Sequence, residues 1–104
     1  MDYTFVPDLA TATEIPADGT LSRTLHRDDQ AKVVLFAFDA GQELSEHTAA
    51  RPAIIQVVRG RFTLTLDGDV HEAGEGTFVH MAAGLPHALR AETPAVMVLT
   101  LLGS

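Results

Sequence analysis

The sequence contains no cysteine. Disulfide bonds, thiolate metal sites and thiol nucleophiles are therefore excluded together. Any metal binding or acid–base chemistry must use other side chains, and the histidines are the leading candidates. A protein without disulfides is as compatible with a reducing compartment as with any other.

Basic residues are also scarce, with seven Lys and Arg against 14 Asp and Glu, and the net charge is −7. The electrostatic field of a protein with this negative charge repels phosphate backbones and anionic lipid headgroups, so we expect no nucleic-acid partner. The N-terminal segment has no basic start, and no segment approaches the roughly 18 apolar residues that a membrane span needs. We therefore expect a cytoplasmic protein with no membrane partner.

No internal repeat, low-complexity tract or linker divides the 104 residues, of which 46% are hydrophobic and 20% are charged. This composition is globular, and the length suits one compact core and not two. The prediction is a single domain over residues 1–104.

Turn residues recur closely and leave segments of about five to eight residues, a length typical of strands. The firmest example is RFTLTLD, residues 61–67, which places Phe62, Leu64 and Leu66 on one face. Asp67-Gly68 then supplies a tight hairpin turn into the next strand.

Two continuous apolar runs, residues 32–38 and 95–102, are typical of strands covered on both faces. They predict either a sandwich interior or a face buried against a second subunit. A helix over residues 44–53 is disfavoured because Pro52 lacks a backbone donor. Residues 1–19 contain two prolines and are predicted to form an arm or edge strands. The fold class is thus all-β, a sandwich or barrel with little or no helix.

Five histidines are present. His26 and His71 lie near turns, where polar side chains usually face water, so both are predicted to be surface residues. His87 follows Gly84 and Pro86, which favour a tight turn and an extended approach, so its imidazole is expected at a strand start.

The sequence around His47 and His87 resembles the cupin superfamily, whose two motifs read loosely G-x5-H-x-H-x3-E-x6-G and G-x5-P-x-G-x2-H-x3-N. The matching positions are Gly41, His47 and Gly60 in the first motif, and Gly76, Gly84 and His87 in the second. The resemblance spans residues 41–91. It implies a double-stranded β-helix, the RmlC-like jelly-roll barrel.

Metal-binding cupins hold one divalent ion, such as iron, manganese, nickel or zinc, through four motif side chains. Here alanine replaces two of those four, at Ala49 and Ala53, and also stands at two other motif positions, Ala82 and Ala91. The resemblance therefore implies a reduced ligand set of His47 and His87. Replacement by alanine is also expected to enlarge the pocket and make it more apolar.

His80 is the nearest candidate for a third ligand, because it lies one strand upstream of the His87 turn. Strand alternation places it on the opposite face from Met81 without saying which face is internal. An inward His80 would complete a three-histidine set, and an outward one would be a surface or interface residue. The same alternation places Glu43, but not Glu46, on the side of His47. Arg51 is expected in a loop at the pocket mouth, where it could steer an anion or simply be solvated.

Three functions are compatible with these patterns. The first is a cupin that binds a divalent metal and acts on a small oxygenated metabolite. The alternative is a non-catalytic cupin that binds a small, sugar-like molecule without metal. The third is a structural role, because the two apolar runs offer enough surface for the homodimer that we expect in any case.

Overall fold

The computed structural model describes residues 2–103, so Met1 and Ser104, the two ends of the predicted domain, lie outside the described residues. Within this range the chain forms two antiparallel sheets. The five-stranded sheet has the order β1-β2-β9-β4-β7, and the four-stranded sheet has the order β3-β8-β5-β6. The strands are β1 (Thr20–Arg27), β2 (Ala31–Phe38), β3 (Glu43–His47), β4 (Ala53–Arg59), β5 (Phe62–Leu66), β6 (Asp69–Ala73), β7 (Phe78–Met81), β8 (His87–Ala91) and β9 (Ala95–Leu102).

The predicted all-β jelly-roll fold with little or no helix is confirmed. The helical content of residues 2–103 is one 3-10 turn at Leu9–Thr11, far too short to cross a membrane. The predicted hairpin is also confirmed: β5 pairs with β6, and the connecting Asp67 and Gly68 have φ values of +49° and +86°. Two successive positive φ angles are the signature of a type I′ turn, whose twist suits a tight hairpin.

The core lies between the inner faces of the two sheets. Phe62, Leu64 and Leu66 all point into it, as the alternation in the sequence predicts. Phe38 of β2 meets Phe62 of β5 edge to face, with ring centroids 5.4 Å apart, and this contact joins the two sheets. Both phenylalanines are fully buried.

A second apolar layer covers the outer face of the five-stranded sheet. Leu35, Ala37, Val96 and Val98 are buried there. The side chains that cover them come partly from the N-terminal segment, at Leu9, Ala12 and Ile15. Arg23 of β1 also donates a hydrogen bond of 2.9 Å to the carbonyl oxygen of Ala12. Residues 2–19 thus form an arm without strands. Because this arm covers the outer face of the sheet, a single chain explains why β2 and β9 are apolar on both faces. The expected homodimer stays a prediction.

We expect Leu35→Ala to lower the free energy of unfolding by about 2–5 kcal/mol, because Leu35 is fully buried beneath the arm. Leu21→Ala is the matched control, since Leu21 lies on the same face of the neighbouring strand but is 42% exposed. The control should cost about 1 kcal/mol or less. Urea unfolding followed by circular dichroism measures both values, and equal losses would contradict an arm that covers Leu35.

Candidate functional site

Strand pairing brings the two motif histidines together. His47 at the end of β3 lies opposite His87 at the start of β8, and cross-strand partners project from the same face of a sheet. His87 is 8% exposed, and Leu89 and Ala91, which follow it on the same face, are buried in the core. His87 therefore points inward, and His47 stands beside it at the exposed rim.

A β-bulge determines which side of β3 His47 occupies. The register of β3 shifts between Leu44 and His47, so simple alternation fails across this stretch. Glu43 pairs with the exposed Arg90, which places it on the outer face, whereas Leu44 packs into the core. The expectation that Glu43 shares the side of His47 is therefore wrong, because the extra residue of the bulge reverses the alternation.

The two imidazoles are close and similarly held. Their ring centroids lie 4.2 Å apart with an interplanar angle of 58°. The Nδ1 atom of His47 is 2.8 Å from the carbonyl oxygen of Ser45, and that of His87 is 2.8 Å from the carbonyl oxygen of Leu85. A carbonyl oxygen can only accept, so Nδ1 donates in both rings. In the neutral rings both Nε2 atoms then keep a lone pair for a ligand.

The loops around the pair are tied to one another. Gly84 has a φ of +82°, which glycine adopts without strain, and its N–H donates a 2.8 Å hydrogen bond to the carbonyl oxygen of Ala49. The carbonyl oxygen of Pro86 accepts another 2.8 Å bond from the N–H of Asp67. The turn before His87 is thereby fixed both to the loop after His47 and to the β5–β6 hairpin.

The motif alanines do not open a large pocket around the histidines. Ala53 is 2% exposed, and its neighbour across the strands, Met81, belongs to the same core cluster. Ala91 is fully buried opposite Phe62. The expected enlargement of the pocket is therefore not found at Ala53, which is buried within the core cluster. Ala49 is half-buried in the loop, and Ala82 is exposed.

The other sequence candidates lie elsewhere. His80 pairs with Ile54 and is exposed, while its neighbour Met81 faces the core, so His80 occupies the outer face. The inward alternative does not hold, and residues 2–103 contain no cluster of three or more His, Asp or Glu side chains suited to a metal.

Arg51 donates a hydrogen bond to the carbonyl oxygen of Gly103 and so holds the segment that follows β9. His71 is exposed as predicted, but it lies opposite Leu64 and therefore projects toward the inner side of the four-stranded sheet.

His26 belongs to a local polar network at the β1–β2 turn. Its Nε2 atom is 2.8 Å from Oδ2 of Asp28, and its Nδ1 atom is 3.3 Å from Oγ1 of Thr4 in the arm. The hydrogen bond from His26, with those from the backbone N–H groups of Gln30 and Ala31, lowers the pKa of Asp28 from its ordinary 3.8 to about 2. His26 thus holds the turn and the arm and takes no part in the His47–His87 site.

Comparisons with known proteins agree with this architecture. The family model described as the cupin domain matches residues 34–102. The chain belongs to the cupin superfamily. No curated protein matches the sequence.

Solved structures extend the likeness to the whole chain. A conserved protein of unknown function from Streptococcus pyogenes is 31% identical, with a TM-score of 0.87 over 100% of this chain and 91% of that one. An RmlC-like cupin from Desulfovibrio desulfuricans is 26% identical, with a TM-score of 0.81 over 98% and 96%. KdgF from Halomonas is 18% identical, with a TM-score of 0.82 over 98% and 95%, and shows the shared fold alone.

The hydrogen bonds from the two imidazoles to the carbonyl oxygens of Ser45 and Leu85 were not predicted from the sequence. Every residue has a main-chain carbonyl, so residue type does not indicate which one accepts such a bond. These hydrogen bonds predict that His47 and His87, when neutral, both carry their proton on Nδ1. Long-range ¹H–¹⁵N NMR of the metal-free protein measures this directly. A predominant Nε2–H form in either ring would contradict the geometry.

The hydrogen bonds around Asp28 predict the result of a titration. The pKa of Asp28 should rise toward 3.8 in His26→Gln, because the hydrogen bond from His26 is the largest cause of its lowering. Since the folded pKa is the lower one, the ionised carboxylate favours the folded state fully above pH 3.8, and this contribution is lost as the pH falls through about 2. NMR titration of the carboxyl carbons measures the shift. Asp39, whose pKa is lowered by the N–H groups of Asp18 and Ala40, is the internal control and should not move.

Proposed function

We propose that His47 and His87 bind one divalent transition-metal ion through their Nε2 atoms and leave its other positions open to a small oxygenated molecule. The observation that carries this proposal is the pair of matching hydrogen bonds from Nδ1 to the carbonyl oxygens of Ser45 and Leu85. Metal-binding histidines almost always donate their second ring nitrogen to a carbonyl, a carboxylate or water, which fixes the tautomer and the ring orientation.

The spacing of the rings supports the same assignment. Two imidazoles that share an ion at about 2.0–2.1 Å have centroids roughly 4.5–5 Å apart, depending on the coordination geometry. The observed separation is 4.2 Å. The two rings are therefore slightly closer than in a shared metal site, and binding an ion requires a small increase in their separation. The donor set thus fits an exchangeable ion with open positions and does not fit a closed structural site, which takes four protein ligands.

The roles of the chain follow from this geometry. The hydrogen bonds to Ser45 and Leu85 keep Nδ1 of each ring as a donor and leave Nε2 for the ion, and His87 is the buried member of the pair. The loop at Ala49, which follows His47, and the turn at Gly84, which precedes His87, are joined by a hydrogen bond. A bound divalent ion would supply a Lewis acid that polarises a carbonyl or hydroxyl oxygen of the molecule occupying the open positions.

We expect chelator-stripped protein to bind one Ni²⁺ or Zn²⁺ ion per chain, as measured by isothermal titration calorimetry. Because loss of even an outer partner of a ligand weakens metal affinity about tenfold or more, His47→Gln and His87→Gln should each weaken it by at least that factor. His26→Gln is the matched control and should leave the affinity unchanged, since His26 lies at the β1–β2 turn. Ala49→His should strengthen binding by restoring a motif ligand in a half-buried loop.

The decisive comparison is between the metal affinity of the wild type and that of the two histidine variants. Equal affinity in the wild type, His47→Gln and His87→Gln would show that the ion binds elsewhere. If the protein takes up no nickel, zinc, iron or manganese, the metal assignment is wrong. Ligand binding without metal would then be the remaining hypothesis. In that case a metabolite that raises the melting temperature in the presence of chelator would identify the ligand class.

A further inference from the structure

Exposed apolar side chains concentrate on the side of the molecule where the arm crosses the five-stranded sheet. Among residues 2–103, three of the five exposed large hydrophobic residues belong to the arm or to β1, namely Tyr3, Phe5 and Leu21. Tyr3 is 88% exposed and Phe5 is 76% exposed. Aromatic rings are enriched where proteins associate, because their burial removes a large apolar area from water. This side is therefore the first candidate for a protein interface.

The same side contains an open pocket of about 420 Å³ between the arm and the first two strands, named here the arm pocket. Its lining residues are Thr4, Val6, Leu9, Leu25, His26 and Val33. Strand register places His26 opposite Val33, and Leu9, Leu25 and Val33 all pack on the apolar layer of the outer face. The lining is thus apolar except at His26 and Thr4, which lie 3.3 Å apart. This composition suits a side chain with an apolar ring and a polar tip, as in tyrosine.

The chain does not fill the arm pocket with its own aromatic rings. Thr4 and Val6 line the pocket, whereas Tyr3 and Phe5, which alternate with them, do not. The contact between Thr4 and His26 holds this part of the arm in place. With the arm in this position, the exposed rings and the pocket lie side by side on one surface, and a second copy of the chain is needed to bring them together.

The position of the rings beside the pocket is what a two-fold dimer requires. In such an interface each copy presents the same patch, so a ring of one copy meets a pocket of the other and the reverse contact forms at the same time. Val6 lines the arm pocket and also, together with Phe5, a second hollow on the other side of the arm. Ring and pocket are therefore neighbours within one patch. If they lay on opposite sides of the molecule, the same contact would produce open chains of copies.

The arm and β1 are also complementary in charge. Residues 2–19 include four acidic residues and no basic one, whereas β1 carries two arginines, Arg23 and Arg27, and no acidic residue. Within residues 2–103, neither arginine forms an ion pair with a carboxylate of the arm. The acidic arm of one copy can therefore attract the basic strand of another, which favours association although the chain carries a net charge of −7.

The edge of β1 favours contact through side chains over the addition of a strand. β1 is the outermost strand of its sheet and pairs only with β2. Its register shifts between Thr24 and His26, and a bulge of this kind interrupts the row of free N–H and C=O groups that an added strand would need. The partner surface is therefore expected to present side chains, as the arm does with Tyr3 and Phe5.

We propose that a second copy of this chain covers the arm pocket, with the Tyr3 ring of each copy seated in the pocket of the other and the Phe5 ring packed beside it. The interface does not involve the proposed metal pair. His47 and His87 belong to the four-stranded sheet, whereas the arm lies on the outer face of the five-stranded sheet. Dimerisation and metal binding can therefore be tested separately.

Sedimentation equilibrium of the full chain in excess EDTA measures the dissociation constant of the dimer. We expect the wild type to dimerise at micromolar concentrations. The double variant Tyr3→Ser/Phe5→Ser should weaken dimerisation about tenfold or more, because aromatic residues in a pocket carry much of the binding energy of an interface. Both residues are exposed in the single chain, so this variant should fold normally, as circular dichroism would verify.

The matched control is Val70→Ser/Phe78→Ser, which removes two other exposed apolar side chains, 68% and 61% exposed, from β6 and β7. It should dimerise like the wild type. The ring signals of His26 in NMR spectra should also move with protein concentration in the wild type and in this control, but not in Tyr3→Ser/Phe5→Ser. A wild type that stays monomeric at micromolar concentrations, or a control variant that loses the dimer as much as the arm variant does, would overturn the proposal whether or not the metal prediction succeeds.

Discussion

The burial of two apolar sheet faces against each other is the constraint on which the rest of this protein depends. Phe38 and Phe62 meet edge to face across the interface, and both are fully buried. Around this contact the inward residues of both sheets form one continuous cluster. Because most inward positions belong to that cluster, most of the remaining side chains lie at the rims, the outer faces and the open edges, where a change does not disturb the core.

The histidine pair and the cleft between β6 and β7 depend on two different exceptions to regular sheet structure. At β3 a bulge adds one residue to the strand, and this extra residue turns His47 to the same side as His87. At β6 and β7 two successive strands enter different sheets, which leaves their facing edges unpaired and an open pocket beside them. Regular pairing would remove both features, since alternation would send His47 outward and a β6–β7 ladder would close the cleft.

The substitutions at the cupin motif have a packing consequence as well as a chemical one. Ala53 stands where a metal-binding cupin has a carboxylate, and here it is 2% exposed in the core cluster that includes Met81. An apolar contact has thus taken the place of a buried, ionised group that would need a partner. The inner sheet faces thus stay apolar at this motif position.

The sequence by itself determined the strands of the two apolar runs, the tight hairpin at Asp67-Gly68 and the likeness that paired His47 with His87. These features depend on residue type and short spacing, which are local. Only the tertiary structure decided that Glu43 and His80 face outward, that the arm covers Leu35, and that an open pocket lies beside β6 and β7. The physical reason is that the side-chain period of a strand is two residues. One bulge or a one-residue change of register therefore reverses every later side chain, and only the partner strands and the core fix the register.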